Sequence, residues 1–173
     1  MNEVMNAILE RRSCKKYLPK QVDETALQEV LQAGTYAPSG KNRQAAKILV
    51  VQKPEDIAVL QRLNATVLGN PEGKPFYGAP TVLVVLADAS ATTAVEDGSV
   101  VMENLMIAAH SLGLGSCWVH RAREVFASDE GKALLKKWGS EGEYIGGGHC
   151  LLGYADGPVK SASPRKADFV VRV

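Results

Sequence analysis

The spacing of hydrophobic residues in the first half of the chain predicts three helices and one strand. Apolar residues recur at helical spacing over residues 4–12, and Asp23 has the side chain of an N-cap in front of a second helical pattern. Gly34 is expected to follow that second helix at its C′ position. The β-branched run at residues 48–51 predicts a strand, and Pro54 is typical of the first turn of a third helix.

The second half of the chain combines buried strands with one long apolar helix. Residues 81–87 are almost entirely apolar, which is typical of a strand covered on both faces. Residues 93–112 predict a helix whose second half is apolar on nearly every side, so it requires cover from several directions. The other expected elements are strands at residues 116–120, 149–154 and 168–173, a helix from Ser128 to Trp138, and a Pro- and Gly-rich surface loop at residues 69–80.

The alternation of helices with strands favours, by itself, a doubly wound parallel α/β sheet. The length of 173 residues fits a single domain that covers residues 1–173. Twenty Lys and Arg residues balance nineteen Asp and Glu residues, so no strong positive field attracts a polyanion. We therefore expect no nucleic-acid partner.

The cysteine content and the lack of targeting signals indicate a cytoplasmic protein. No apolar run approaches the ~20 residues of a membrane span, and the start Met1-Asn2-Glu3 does not resemble a signal peptide. Cys14, Cys117 and Cys150 are odd in number and widely spaced, which favours reduced thiols. We therefore expect a protein of the cytoplasm that has no membrane partner.

Two groups of cations have the composition of a phosphate site. Residues 11–16 place four cations and the Ser13 hydroxyl where the first helix ends, a combination that can hold a phosphate dianion through charge-assisted hydrogen bonds. Cations at a helix C-terminus are also favourable for electrostatic reasons alone. Arg165 and Lys166 precede the last predicted strand, where they either join the same phosphate or only protect a terminal strand edge. The residues alone leave both alternatives open.

The loop at residues 37–44 is rich in short donors and acceptors. Asn42 and Gln44 carry amides of the kind that bind the edge of a heteroaromatic ring, although a turn with exposed polar residues explains the same composition. The loop is not a phosphate-binding P-loop, because Asn42 stands where Ser or Thr is required and a helix precedes it.

Four residues in the C-terminal half have the chemistry of metal ligands or nucleophiles. They are Cys117, His120, His149 and Cys150. Adjacent strand residues point to opposite faces of a sheet, so His149 and Cys150 are poorly placed to bind one ion, and we expect no metal site. A nucleophilic Cys–His pair needs a spatial neighbour that the sequence does not supply, and a buried, inert cysteine is commoner.

Three ordered motifs resemble those of the nitroreductase family, and the resemblance spans nearly the whole chain. They are Arg11-Arg12-Ser13-x-Lys15-x-Tyr17, the loop Ala37-Pro38-Ser39-Gly40-x-Asn42-x-Gln44, and the stretch from Glu103-Asn104-Leu105-Met106 through Leu112-Gly113-Leu114-Gly115 to Trp118. The resemblance implies an α+β fold with a central, mostly antiparallel sheet flanked by helices. It also implies a homodimer that holds FMN at each end of the subunit interface, with the C-terminal strand near the partner.

By position, the resemblance assigns four groups of residues to the flavin, the fourth being the pair Arg165 and Lys166. The group expected at the phosphate and ribityl chain is Arg11, Arg12, Ser13 and Lys15, joined at the phosphate by Arg165 and Lys166. The group expected from the other subunit is Ser39, Asn42 and Gln44, and Pro38 of the same loop is also expected at the cofactor. The group whose backbone is expected near the flavin ring is Cys117, Trp118 and Val119.

The resemblance implies an oxidoreductase that moves hydride from NADH or NADPH through flavin N5 to a small organic acceptor, such as a nitroaromatic or a quinone, by a ping-pong mechanism. Because the flavin carries the chemistry, no catalytic side chain is expected. An FMN-binding or flavin-storage protein without turnover is the alternative. Lys15 stands where Arg is usual in the family. The segment at residues 64–80 is short, whereas relatives often insert helices there, so we expect an open substrate pocket.

Overall fold

Helices and strands alternate along the chain, and the strands assemble into one sheet. A computed structural model describes residues 2–173, and within that range it contains six α-helices and four strands. The helices are α1 (Glu3–Glu10), α2 (Glu24–Thr35), α3 (Pro54–Val67), α4 (Ala94–Ser111), α5 (Ala122–Ala127) and α6 (Asp129–Lys137). The strands are β1 (Ala46–Val51), β2 (Thr81–Asp88), β3 (Gly115–Val119) and β4 (Tyr144–Gly153), and one turn of 3-10 helix covers Gly40–Asn42. None of these helices is long and apolar enough to cross a membrane.

Every strand pairing in the sheet is antiparallel. The strand order is β1-β2-β4-β3. Val51 at the end of β1 pairs with Val82 near the start of β2, so α3 and the loop after it carry the chain away and back to the same end of the sheet. The α+β fold with an antiparallel sheet is therefore confirmed. The parallel doubly wound arrangement is wrong, because the order of elements does not fix strand direction when a long loop follows the connecting helix.

Helices cover both faces of the sheet. On one face α3, α5 and α6 pack around a core that includes Leu60 and Phe126. On the other face α2 and α4 pack around a core that includes Leu105. Along β2, Val84 belongs to the first core and Leu83 to the second. This cover on both faces explains why β2 is apolar and buried along nearly its whole length.

The central helix of the second layer is α4. Its residues Met102, Leu105 and Ala109 are fully buried. Gly34 lies inside α2, which continues to the C-cap Tyr36, so the expectation that Gly34 follows the helix is wrong. A Cβ at Gly34 would come within 2.7 Å of Leu105 Cδ2. The glycine therefore lets α2 and α4 approach closely, and its role is packing between helices.

The strand predicted at residues 168–173 does not form in the described chain. These residues have no strand pairing within residues 2–173. Phe169, Val170 and Val171 are 77%, 76% and 74% exposed. A strand requires a hydrogen-bonded neighbour, and no described strand of the same chain reaches this tail. The tail is consequently a row of apolar side chains that the single chain leaves uncovered.

Two further elements differ from the sequence-based expectation. β4 begins at Tyr144, earlier than the predicted residue 149, and α5 was not predicted. The first half of β4 could not be predicted from the sequence, because the glycines at residues 146–148 have no side chains that could show the polar and apolar alternation of a strand. A Cβ at Gly146 would overlap the backbone of Ala122. The missing side chain therefore allows the first turn of α5 to lie directly on β4.

Candidate functional site

The cationic segment that follows α1 is held against the edge of the sheet. Ser13 forms a parallel bridge with Ser116 on β3, and the Cys14 N–H donates to the Ser116 carbonyl at 2.8 Å. Cys14 and Tyr17 are buried, whereas Ser13 and Lys15 are exposed. Cys14 and Tyr17 therefore anchor the segment, and the residues on either side of Cys14 are presented outside the core.

Arg11 and Arg12 differ in how their guanidinium groups are used. Arg12 Nη1 donates to the carbonyls of Leu9 and Arg11 at 2.8 and 2.5 Å, so it satisfies the C-terminal end of α1. Arg11 Nη1 is buried and has no hydrogen-bond partner within residues 2–173, and Arg12 Nε is in the same situation. A buried charged donor without a partner is costly. These two nitrogens are therefore donors of the cationic segment that the described chain leaves unsatisfied.

A cavity of about 370 Å³ lies beside the cationic segment. It separates residues 12–16 from residues 156–161. An ion pair of 2.8 Å between Lys16 Nζ and Asp156 Oδ2 joins the two sides. Lys15 Nζ lies 5.6 Å from the centre of the Tyr77 ring, close enough for a cation–π contact. The concentration of cations around this cavity favours an anionic ligand.

The loop at residues 37–44 has a strained backbone that is fixed from within. Lys41, Asn42 and Gln44 have φ values of 54°, 53° and 50°, in the left-handed region. This region costs non-glycine residues roughly 1 kcal/mol each. Ser39 Oγ accepts a hydrogen bond from the Gln44 N–H at 2.9 Å. The loop is therefore preorganised, and it leaves Asn42 and Gln44 exposed.

The same loop borders a second cavity of about 340 Å³, formed with α2, β1 and α4. Its walls include Pro38, Ser39 and Gln44 together with the apolar side chains of Ile48 and Val101. Over the described part of the chain, this cavity and the one beside the cationic segment share no lining residue. One chain therefore does not bring the first two predicted groups of site residues to a common cavity.

The third predicted group lies on β3. Cys117 and Val119 are buried, and Trp118 is half-buried. Burial raises the pKa of the Cys117 thiol, although a hydrogen bond from Ser13 and the charge of Lys15 act in the opposite direction. Trp118 Nε1 is buried and lacks a hydrogen-bond partner among residues 2–173. This strand thus adjoins the cationic segment and carries a free donor of its own.

The fourth predicted group, Arg165 and Lys166, lies on the exposed C-terminal tail. Among the described residues, no hydrogen bond or ion pair connects either side chain to the cationic segment. The hydrogen bond that Arg165 makes runs from Nη1 to the Ser163 carbonyl at 3.3 Å. The structure of one chain therefore does not bring this group together with residues 11–15.

His149 and Cys150 lie in environments that suppress their reactivity. His149 is fully buried between Phe76 and Phe126, with ring centres 5.2 and 6.0 Å away, and burial lowers its pKa to about 4. Burial raises the pKa of the Cys150 thiol to about 12, so this thiol is a poor nucleophile at neutral pH. Within residues 2–173, no group of three or more His, Cys, Asp or Glu side chains is arranged to hold a metal ion.

Two buried polar residues near these groups were not predicted from the sequence. Ser116 Oγ, at the bridge to Ser13, is buried and has no partner in the described range. Asp97 on α4 is 3% exposed, and its Oδ1 accepts a hydrogen bond from the Gly40 N–H at 2.9 Å. Nothing in the sequence distinguishes Ser116. Acidic residues are common in the first turn of a helix, so the sequence did not indicate that Asp97 is buried and contacts the loop at residues 37–44.

Comparisons with known proteins point to one family. The model of the nitroreductase family matches residues 8–154. A protein of Methanothermobacter thermautotrophicus whose name pairs NADH dehydrogenase with NAD(P)H nitroreductase is 31% identical over 120 residues, which cover 67% of this chain. That match spans 60% of the relative's own length, so the chain covers less than two thirds of it.

Two solved structures share the fold over their full length. A nitroreductase with bound FMN from Bacteroides fragilis superposes with a TM-score of 0.91 at 27% identity, and the match covers 100% of both chains. A nitroreductase with bound FMN from Desulfitobacterium hafniense has a TM-score of 0.89 at 28% identity, over 100% of this chain and 99% of that one. The likeness therefore includes the segments that carry all four predicted groups.

Proposed function

This chain belongs to the nitroreductase family, and on that basis we propose that it binds FMN and catalyses hydride transfer from NADH or NADPH to a small organic acceptor, such as a nitroaromatic or a quinone. When bound, FMN would supply the ring atom that accepts and donates hydride. The observation that carries the proposal is the buried, unpartnered Arg11 Nη1 in the same segment as Ser13 and Lys15, which is bridged to β3. The protein's own task is then to bind the cofactor, to orient it and to stabilise negative charge on it.

The donors of the cationic segment fit a phosphate group. The Arg11 guanidinium, the Ser13 hydroxyl and the Lys15 ammonium come from one stretch of backbone that is fixed on β3. Arg12 would contribute charge and its free Nε, because its Nη1 already serves α1. We propose that Arg165 and Lys166 close on the same phosphate. Several charge-assisted hydrogen bonds to one dianion make a strong binding site.

The flavin ring is proposed to lie between β3 and a loop of the partner chain. Residues 117–119 of one subunit would pass along the ring, with the cationic segment beside them. Residues Pro38, Ser39, Asn42 and Gln44 would approach from the other subunit. The preorganised backbone of that loop supports this role, because a fixed loop loses little conformational entropy when it binds.

The exposed apolar surface of the chain supports a homodimer. Val4, Met5, Ile8 and Leu9 form one face of α1, and their side chains are between 41% and 64% exposed. The tail at residues 168–173 adds further uncovered apolar side chains, and we propose that it lies against the partner. A site that needs both the cationic segment and the loop at residues 37–44 is complete only when two chains meet.

Mixing two defective variants tests the shared site directly. Arg11→Ala removes the proposed phosphate ligand, and Asn42→Gly removes the amide while it keeps the left-handed backbone that residue 42 requires. Each homodimer should bind FMN weakly at both sites. In a heterodimer, one site carries both defects and the other carries none. Random pairing therefore restores tight binding at about a quarter of all sites. Titration followed by FMN fluorescence measures this fraction of tight sites.

The unmixed variants, taken through the same unfolding and refolding, serve as controls for the exchange of subunits. A mixture that shows no tight sites, although mass spectrometry of the intact dimers confirms heterodimers, would contradict the shared site. It would mean that Arg11 and Asn42 act on FMN from the same chain.

A further inference from the structure

The carboxylate of Asp97 lies beneath the loop at residues 37–44, in the first turn of α4. It is 3% exposed, and its Oδ1 accepts a hydrogen bond from the Gly40 N–H at 2.9 Å. Its Oδ2 is buried and has no hydrogen-bond partner in the described part of the chain. Asp97 also lines the cavity of about 340 Å³, and its hydrogen bond with the Gly40 N–H is the contact through which it acts on the loop.

Burial makes the bond between Asp97 and Gly40 important to the conformation of the loop. A buried carboxylate is costly unless it is hydrogen-bonded. Here the positive N-terminal end of α4 and the Gly40 N–H stabilise the negative charge of the Asp97 carboxylate. Displacement of Gly40 would leave both oxygens of Asp97 without a partner. The geometry therefore fixes the position of the Gly40 backbone more firmly than a surface contact would.

Gly40 is also confined from a second direction. A Cβ added to Gly40 would overlap Thr93 Oγ1, and it would lie 3.0 Å from Thr93 Cβ. Only a residue without a side chain fits between the loop and the start of α4. Asp97 and Thr93 together hold this point of the loop on the helix.

The next residues explain why the loop needs an anchor. Lys41, Asn42 and Gln44 all have positive φ values, although none of them is glycine. Such conformations persist only where the surrounding structure determines them. Within the loop, the Ser39 hydroxyl fixes Gln44. The bond from Gly40 to Asp97 joins the strained turn to a rigid helix of the core.

We propose that Asp97 is a positioning residue for the loop at residues 37–44. It holds the loop in the conformation that contacts the flavin of the partner subunit, and this inference rests on the flavin role proposed above for the loop. Asp97 touches neither cofactor nor substrate in this account. It acts through the Gly40 N–H, which sets where the strained turn and its exposed amides begin.

Two substitutions at Asp97 separate this role from a general contribution to packing. Asp97→Ala removes the acceptor, whereas Asp97→Asn keeps an oxygen that accepts from the Gly40 N–H. Trypsin cleavage after the exposed residues Lys41 and Arg43 reports the order of the loop, and FMN titration reports its function. For Asp97→Ala we expect cleavage about tenfold faster and FMN binding about tenfold weaker, whereas Asp97→Asn should stay within about threefold of the original protein in both.

A second variant reaches the same contact from the loop, in case Asp97→Ala does not fold by circular dichroism. Gly40→Ala introduces a Cβ that collides with Thr93 Oγ1 and moves the Gly40 N–H away from Asp97. It should also give faster cleavage and weaker FMN binding. Adding Thr93→Ala to Gly40→Ala relieves the collision and should restore part of both.

Unchanged cleavage in Asp97→Ala, or equal effects of the alanine and asparagine variants, would overturn the proposal. Faster cleavage with unchanged FMN affinity would overturn the flavin role of this loop and leave Asp97 as an anchor only. Failure of the whole flavin assignment is distinguishable, because Arg11→Ala would then also leave FMN binding unchanged.

Discussion

Arg11→Ala is expected to weaken FMN binding by about tenfold to a hundredfold, with little change in the fold. The Nη1 atom of Arg11 is buried and has no hydrogen-bond partner in the described chain, so the substitution breaks no hydrogen bond of that atom. A hydrogen bond between charged groups contributes about 1.5–3 kcal/mol, which corresponds to that range of affinity. Fluorescence titration of the apoprotein with FMN measures the change.

Two other substitutions make this result specific. Lys132→Ala removes the same charge from an exposed site on α6 and should leave FMN affinity unchanged. Arg12→Ala should lower stability, because Arg12 Nη1 satisfies two carbonyls at the end of α1. Equal FMN affinity of Arg11→Ala and the original protein would mean that the phosphate lies elsewhere.

The protein is expected to lose about 3 kcal/mol of unfolding free energy through His149 alone as the pH falls from 6.5 to 4. Burial between two phenylalanine rings holds the pKa of His149 at about 4, below the ordinary 6.5. Between these pH values the unfolded chain binds a proton at this imidazole and the folded chain does not. Stability therefore falls with decreasing pH in this window, and the contribution is fully present above pH 6.5.

The measurement is the free energy of unfolding by urea at several pH values, at one protein concentration, for the original protein and His149→Gln. The glutamine does not titrate, so the variant should lose less stability between pH 6.5 and 4, whatever its stability at neutral pH. The carboxylates contribute equally to both proteins. Identical pH dependence of the two would mean that His149 has the same pKa in the folded and the unfolded chain.

Much of the fold could be predicted from side-chain patterns, and the exceptions have physical causes. The apolar run of β2 and the long apolar α4 are both buried as expected, since each is covered on several sides. Strand direction could not be predicted from side-chain patterns, because antiparallel pairing depends on the return loop after α3, and the antiparallel sheet was expected from the family resemblance alone. The tail at residues 168–173 has the β-branched and aromatic composition of a strand but no partner within the described chain.

For the candidate site, local sequence patterns predicted some residues, whereas contacts between segments distant along the chain could not be predicted. The residue types of the cationic segment indicated a phosphate site, and the bridge between Ser13 and Ser116 explains how the segment is presented. The left-handed turn at Lys41 and Asn42 was beyond prediction, because neither residue is a glycine. Asp97 was missed because its partner Gly40 is distant along the chain. Contacts between distant segments depend on the assembled core, which local patterns do not record.

Anaerobic mixing of the purified, FMN-loaded protein with NADH and with NADPH shows whether the bound flavin exchanges hydride with a nicotinamide. We expect the flavin absorbance to bleach with at least one of the two nucleotides and to return when a quinone or a nitroaromatic is added. Variants that replace Cys117 or His149 and retain FMN should bleach at nearly the original rate, because no side-chain acid, base or nucleophile is required. A protein that holds FMN and keeps its full flavin absorbance with both nucleotides would contradict the account and identify a flavin-binding protein without turnover.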